Sequence, residues 1–378
     1  MLPMSFAAVA PAGLSRRQFV LGSALASATF VVGYRPSGSP AQAANAPNPL
    51  EAYIRIAPDN TVTIYSAHMD MGQGSYFGIA TLVNEELGAD WSTIRVEGGA
   101  GNTAAYGNLA WGGTAQGTGG STAMASSWER YRKAGAAARL MLIAAAAAAW
   151  KVSAGEIRAE KGMLSHASGK RSTFGEMAAQ AAVLPVPTQF PLKDRSAWTE
   201  IGNSDLKRTD SAVKANGTQQ FTADIRLDSM KTAVMIHPPR FGATLKSFNA
   251  SKAKAVRGVV DVIAVPRGIA VIADDMWAAL KARDLVTAEW DETKAETRSS
   301  AEILDTYRKQ ASRPGLATAR NDGDVSAAFN GAAKVVEATY EFPYLAHAAL
   351  EPLNAVVRMQ DGMLEIWGGH QMPDLYQT

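Results

Sequence analysis

The sequence predicts an α+β protein of more than one domain, on three observations. Short alternating β-type runs recur along the chain, one long Ala-rich stretch has helix-forming composition, and a Pro-, Lys-, Ser- and Asn-rich segment separates two textures. A chain of 378 residues also has room for two or three domains at about 100–200 residues each. Hydrophobic residues at 47% and charged ones at 19% exclude wholesale disorder and a multi-span membrane protein. Lys plus Arg (37) nearly balance Asp plus Glu (35) and no basic block stands apart, so nucleic acid is not expected as a partner. With 0 cysteines there are no disulfides, no Cys-ligated zinc, no iron–sulfur cluster held by this chain and no thiol nucleophile. The 5 histidines are scattered without an HExxH pattern, so a redox centre would have to bring its own ligands.

The elements follow in order. Ser15-Arg16-Arg17-Gln18-Phe19-Val20, a mostly apolar run to Tyr34 and Ala41-Gln42-Ala43 have the order of an export signal over residues 1–44. The paired arginines resemble a twin-arginine signal, the route for proteins exported already folded, which places the mature chain in the periplasm, with membrane association left open. The apolar run is shorter than the roughly 20 residues that span a bilayer. Within 50–184, Tyr53-Ile54-Arg55-Ile56 and Thr61 to Tyr65 flank a Pro58-Asp59-Asn60 turn and predict a hairpin. Ile79, Leu82, Val83 and Leu87 recur at helical spacing with Gly88 as the C-terminal stop. A second helix is expected from about Ser121 to Trp150, and Thr173-Phe174-Gly175-Glu176 reads as a capping box before a third.

Residues 185–217 read as a linker, and 218–295 as a compact unit with strands at Thr232–Ile236, Val259–Val265 and Ile269–Ile272 and a helix at Met276–Leu285. In 296–378 the pattern predicts a helix near Ala301–Lys309, a strand over Lys334–Glu341, and a hairpin of Val356–Arg358 with Met363–Trp367 around Asp361-Gly362.

Three clusters have chemical potential. Met71-Gly72-Gln73-Gly74 lies between a strand and a helix, where backbone amides and the helix N-terminus can receive an anion; it also fits a plain tight turn. It is neither a P-loop nor a dinucleotide fingerprint, since Phe77 stands where the third Gly belongs. Gly117-Thr118-Gly119-Gly120-Ser121-Thr122 repeats the logic with hydroxyls, and Ser121 or Thr122 can cap the long helix. Two such loops suggest one extended ligand that includes phosphate. The third cluster, Tyr344 to Asn354 followed by Trp367-Gly368-Gly369-His370-Gln371, contains His347 and Glu351; each reads as structural or as an acid–base group, and no G-x-S-x-G supports a serine triad.

Taken together, Asp70 to Gly74, Glu85-Glu86-Leu87, Trp91, Gly119 to Thr122, Ala346 to Asn354 and Gln371 resemble the molybdopterin-binding large subunit of the xanthine dehydrogenase/aldehyde oxidase group. The loop block precedes the 218–295 unit, which resembles that group's α/β hammerhead domain, and this order resembles the branch formed by the large (β) subunits of isoquinoline 1-oxidoreductase. The resemblance implies a molybdopterin-binding subdomain over 50–184, the hammerhead over 218–295 and the start of a second molybdopterin-binding domain over 296–378. It implies molybdopterin cytosine dinucleotide as cofactor, its molybdenum held by dithiolene sulfurs and not by protein. Gly72, Gln73 and Gly74 are expected near the pterin dinucleotide, Gly120, Ser121 and Thr122 at its phosphates, and Gln371 at an oxygen ligand of the metal; His347 and Glu351 are expected to be structural. The implied reaction is oxidation of N-heteroaromatic compounds or aldehydes with oxygen from water, with a separate 2Fe–2S subunit as electron outlet and a cytochrome as candidate acceptor. The group's Gly-Gly-Phe-Gly loop and its Gly-x-Gly-Glu general base do not occur in this sequence. The chain therefore resembles the N-terminal part of such a subunit, with no catalytic residue expected in it and no turnover expected from it alone; the alternative is a non-catalytic exported scaffold or binding protein derived from this fold.

Overall fold

A computed structural model describes residues 30–32, 53–99 and 101–377. Arg16, Arg17 and Ala41-Gln42-Ala43 of the expected signal lie outside them. The chain divides into two units, Met1–Thr222 with Asn354–Thr378, and Ala223–Leu353.

In the first unit β1 (Phe30–Val32) pairs antiparallel with β2 (Ile54–Ile56), and β2 pairs antiparallel with β3 (Val62–Ser66), the expected hairpin. β3 runs parallel to β4 (Ile94–Gly98), a pairing the sequence did not announce. Parallel neighbours cannot be joined by a tight turn, so the connection must be long, and α1 (Ser75–Leu87) supplies it. Ile54, Ile56, Val62, Ile64 and Ile94 point into the core under α1 and α2 (Ala123–Trp150). The buried face of α2 includes Ala134, Ala137, Ala138, Ala145 and Ala146, small enough for close helix approach. Gly135 marks the tightest point, where a Cβ would stand 2.3 Å from the Val83 carbonyl oxygen.

Tyr53 meets Tyr106 and Tyr131 edge to face at 5.8 and 5.4 Å between ring centroids. Tyr53 donates its hydroxyl to the Ala105 carbonyl at 2.6 Å and Tyr131 donates to that of Tyr65 at 2.8 Å, so both buried phenols are satisfied. A meander of β5 (Arg158–Glu160), β6 (Met163–Ser165) and β7 (Arg171–Thr173) leads into α3 (Phe174–Ala182). The expected capping box is present: Thr173 Oγ1 accepts from Glu176 N–H at 3.1 Å and Glu176 Oε2 from Thr173 N–H at 2.7 Å. Residues 185–217, expected as a linker, pack on this unit instead, with Val186, Phe190 and Ile201 against its core.

The second unit holds a three-stranded sheet in the order β10 (Val259–Val265), β11 (Gly268–Ala273), β8 (Thr232–Ile236), and a pair of β9 (Thr244–Asn249) with β12 (Thr287–Asp291). Helices α4 (Ser251–Lys254) and α5 (Met276–Arg283) cover a small core of Ala250, Ala253, Val262, Ile269, Val271 and Ala282. α6 (Ser300–Ala311) and α7 (Val325–Asn330) follow. The strand expected at Lys334–Glu341 does not form: the segment has no ladder partner among the described residues, and β propensity alone does not hold a strand. Back in the first unit, β13 (Val356–Gln360) and β14 (Met363–Trp367) make the expected hairpin, with Asp361 at φ 53 and Gly362 at φ 77, the left-handed pair of a type I′ turn.

Candidate cofactor site

The Gly-rich loop between β3 and α1 is shaped by its own side chains. Asp70 Oδ1 accepts from Gly72 N–H at 2.7 Å and Oδ2 from Tyr76 N–H at 2.9 Å, so the carboxylate caps α1 from the preceding loop. The Gln73 side chain folds back, Oε1 accepting from Met71 N–H at 2.6 Å and Nε2 donating to the Met69 carbonyl at 2.9 Å. The amides of Met71, Gly72 and Tyr76 are therefore spent inside the loop and do not await an anion. What stays open is the Cα of Gly72, at φ +105 with no atom of the described residues, its two chain neighbours aside, within 4 Å of where a Cβ would stand.

The second loop is tied to the first through Thr118. Its Oγ1 accepts from Met69 N–H at 2.8 Å, its N–H donates to the Gln371 carbonyl at 2.9 Å, and its own carbonyl accepts from Gln371 Nε2 at 2.7 Å. The same C-terminal segment is held by Asp374, whose Oδ2 accepts from Gln116 N–H at 2.8 Å and Thr103 Oγ1 at 3.0 Å. Gly117 lies under Trp111, whose ring would be 2.3 Å from an added Cβ, so its need for glycine is one of packing. Gly120 and Ser121 are both left-handed, at φ 62 and 56, and for Ser121 that conformation costs about 1–2 kcal/mol. Thr122 stands at the N-cap of α2 without capping it: its hydroxyl donates to the Gly119 carbonyl at 2.7 Å and accepts from Asn108 Nδ2 at 2.8 Å.

Below both loops sits His68, fully buried. Nδ1 faces the Gly117 carbonyl at 3.2 Å, which can only accept, so Nδ1 carries the proton and Nε2 faces Ser126 Oγ at 3.1 Å. Burial pushes the imidazole pKa down to about 4, the Gly117 hydrogen bond opposing and the Arg130 charge assisting. Arg130 is itself 4% exposed, donates Nη2 to the Gly107 carbonyl at 2.8 Å, and among the described residues has no hydrogen-bond partner at Nε or Nη1.

Of the residues singled out from sequence, Gly72, Gln73, Gly74, Gly120, Ser121, Thr122 and Gln371 all fall in the first unit, and the Met69–Thr118–Gln371 bonds join their three segments. His347 and Glu351 fall in the second unit, where Glu351 Oε1 accepts from Ala223 N–H at 2.9 Å. Sequence reasoning missed His68, Asn108, Thr118 as a hub, Arg130 and Asp374. Only His68 gave a usable signal, two residues before Asp70; the others depend on contacts that spacing does not encode. Among the described residues no group of three or more His, Asp or Glu is placed to hold a metal ion.

Residues 7–236 match a molybdopterin cofactor-binding domain, and residues 309–378 match a second. A membrane-bound aldehyde dehydrogenase (pyrroloquinoline-quinone) of Gluconacetobacter polyoxogenes is 30% identical, over 96% of this chain and 48% of that protein. The beta subunit of isoquinoline 1-oxidoreductase of Brevundimonas diminuta is 28% identical over 96% and 52%, and a nicotinate dehydrogenase subunit of Pseudomonas putida 27% over 87% and 28%. The chain thus spans about half the length of the first two relatives, or less for the third. Among solved structures, quinoline 2-oxidoreductase from Pseudomonas putida 86 aligns at 19% identity and TM-score 0.24, covering 33% of this chain and 15% of that one. With residues 7–236 alone making up more than half of it, the chain belongs to the molybdopterin cofactor-binding family, the molybdopterin-binding large subunits of the xanthine dehydrogenase/aldehyde oxidase group.

Proposed function

We propose that the first unit holds a molybdopterin, in its cytosine dinucleotide form, and that the chain serves as part of the large subunit of a molybdenum hydroxylase acting on N-heteroaromatic compounds or aldehydes. The observation that carries this reading is Thr118, which binds Met69 and Gln371 at once and so assembles three sequence-distant segments into one surface. The residues suit such a group. Gly72 and Gly120 offer left-handed backbone without a side chain, the Ser121 hydroxyl is exposed, and Gln371 retains a second amide hydrogen after its bond to Thr118. Gly72, Gln73 and Gly74 would hold the pterin dinucleotide, Gly120, Ser121 and Thr122 its phosphates, and Gln371 would orient an oxygen at the metal. Bound there, the cofactor supplies two-electron oxygen-transfer chemistry, with the substrate's new oxygen taken from water. The protein's own share is orientation and a fixed polar lining, with His68 kept neutral beneath it.

With 0 cysteines in the chain, electrons would leave through a separate 2Fe–2S subunit, with a cytochrome as further acceptor. Arg16 and Arg17 support twin-arginine export to the periplasm, and changing both to Lys is expected to leave the precursor in the cytoplasm; normal delivery of that variant would count against the route.

The test of the cofactor reading is chemical identification of what the purified chain releases, since one relative's name includes pyrroloquinoline quinone. A molybdopterin carrying cytosine nucleotide is expected, reduced about tenfold or more in Gly72→Val while the far-ultraviolet spectrum stays unchanged. Recovery of a quinone, or full pterin in Gly72→Val, would overturn the assignment.

A further inference from the structure

Residues 193–210 form a strap along α1, held at one end by two adjacent carboxylates. Glu85 and Glu86 are 0% and 3% exposed, although a helix position next to charged neighbours ordinarily faces water. Glu85 Oε2 accepts from the N–H groups of Thr199, Glu200 and Ile201 at 3.0, 2.8 and 3.0 Å, and Oε1 pairs with Lys193 Nζ at 3.2 Å. Glu86 Oε1 accepts from Arg132 Nε and Nη2 at 2.9 and 2.6 Å, while Oε2 accepts from Lys193 N–H at 3.1 Å. Two buried carboxylates are expensive unless fully hydrogen-bonded, and the strap's backbone satisfies them together with the Lys193 ammonium and the Arg132 guanidinium.

From this latch the strap runs toward the other end of α1. Trp91 Nε1 donates to the Lys207 carbonyl at 3.0 Å, and the next residue, Arg208, reaches the Gly-rich loop. Its Nε and Nη2 form a fork on Asp210 at 2.8 and 2.6 Å, which fixes the guanidinium plane and leaves Nη1 to donate to the Gly72 carbonyl at 3.4 Å. Nη1 also lies 3.1 Å from where a Cβ on Gly74 would stand, so the guanidinium rests directly on that Cα. Asp70 and Gln73 hold the loop from within, and Arg208 holds it from outside. An exposed ion pair that only solvated itself would not need the two anchors that deliver it here.

We propose that Arg208 is a positioning residue for the Gly72–Gly74 loop, presented to it by a strap over residues 193–210 that is latched on Glu85 and Glu86. Its consequence for ligand retention rests on the cofactor reading above; its consequence for the loop does not.

The test uses the full chain and two readouts, amide exchange of residues 69–76 by mass spectrometry and the half-life of bound molybdopterin after dilution. Arg208→Ala is expected to speed exchange at Gly72–Gly74 and shorten pterin retention, each by about tenfold, while exchange in β2 and β3 stays at the wild-type rate. Arg208→Lys keeps the charge but loses the fork and should restore only part of either effect. Asp210→Asn, which keeps Arg208, should give a smaller change in the same direction, and it decides the matter if Arg208→Ala does not fold. Wild-type loop exchange in Arg208→Ala would overturn the proposal, and so would faster exchange spread evenly over the first unit. If the wild-type chain releases no pterin, the cofactor reading fails and the exchange arm still decides the role of Arg208.

Discussion

The two units bury different chemistry. Every buried polar or charged side chain among the described residues, from Thr63 to Ser172, lies in the first unit, whereas the second closes over Ala250, Ala253, Val262, Ile269, Val271 and Ala282. Buried polar groups are costly unless each is paired, so a fold that only needed stability would bury few of them. In the first unit they are spent on holding loops in place: His68 and Ser126 under Gly117, Asn108 between Gly117 and Thr122, Glu85 and Glu86 under the strap. The second unit keeps its ion pairs in water, Lys231 with Asp274 at 2.7 Å and Arg240 with Glu292 at 2.8 Å, both substantially exposed. A concentration of buried, mostly hydrogen-bonded polar groups around glycine loops thus distinguishes the first unit, and ordinary apolar packing the second.

The contrast is sharpest at its ion pairs. Arg132→Met leaves Glu86 buried without its guanidinium partner and should cost the first unit about 3 kcal/mol or more, against under about 1 kcal/mol for Lys231→Met in the second. Unit-resolved hydrogen exchange in denaturant measures both, and equal losses would erase the distinction. Next comes pH. His68 has a folded pKa of about 4 against an ordinary 6.5, so between those values the unfolded chain takes up a proton that the folded chain refuses. The first unit should lose on the order of 2–3 kcal/mol as pH falls from 6.5 to 4, and His68→Gln should flatten that slope. Burial pushes the Glu85 carboxyl up, but hydrogen bonds from Ile201, Glu200, Lys193 and Thr199 outweigh it and leave it below 4.5, so its own contribution is lost only at more acidic pH.

A smaller effect separates a hub from a spectator. Thr118→Val removes the acceptor of Met69 N–H and should cost about 1–2 kcal/mol, with Thr118→Ser near wild type in thermal melts. Smallest is Ser121→Gly, which relieves a left-handed serine and should stabilise by about 1 kcal/mol; a loss instead would mean that the serine side chain contributes more than its strain.

Much of the first unit is legible in the amino-acid sequence, because its signals are local. Ile79 to Leu87 with Gly88 and the Thr173–Glu176 box depend on spacing within one to three turns, and the helices and caps form where that spacing puts them. The hidden parts depend on distance in the chain. Glu85 and Glu86 enter the sequence reading only as part of the family resemblance, and the N–H groups of residues 193–201, invisible to composition, reveal them as buried anchors. Residues 185–217 read as a linker for the same reason, since Val186, Phe190, Trp198 and Ile201 find their partners on segments far away in the chain. β4 escapes sequence reading because parallel pairing with β3 leaves no turn signature, and Lys334–Glu341 reads as a strand although β-type residues do not supply their own partner.

The glycine loops can be located from the sequence, but not their union at Thr118 or the neutral His68 beneath them. That union is the central claim, and it is tested most directly by mapping amide protection on the full chain with and without bound molybdopterin. Protection is expected at residues 69–74, 117–122 and around Gln371, and not in β8–β12 of the second unit. Protection confined to the second unit, or none at the three segments in a chain shown to carry the pterin, would contradict it.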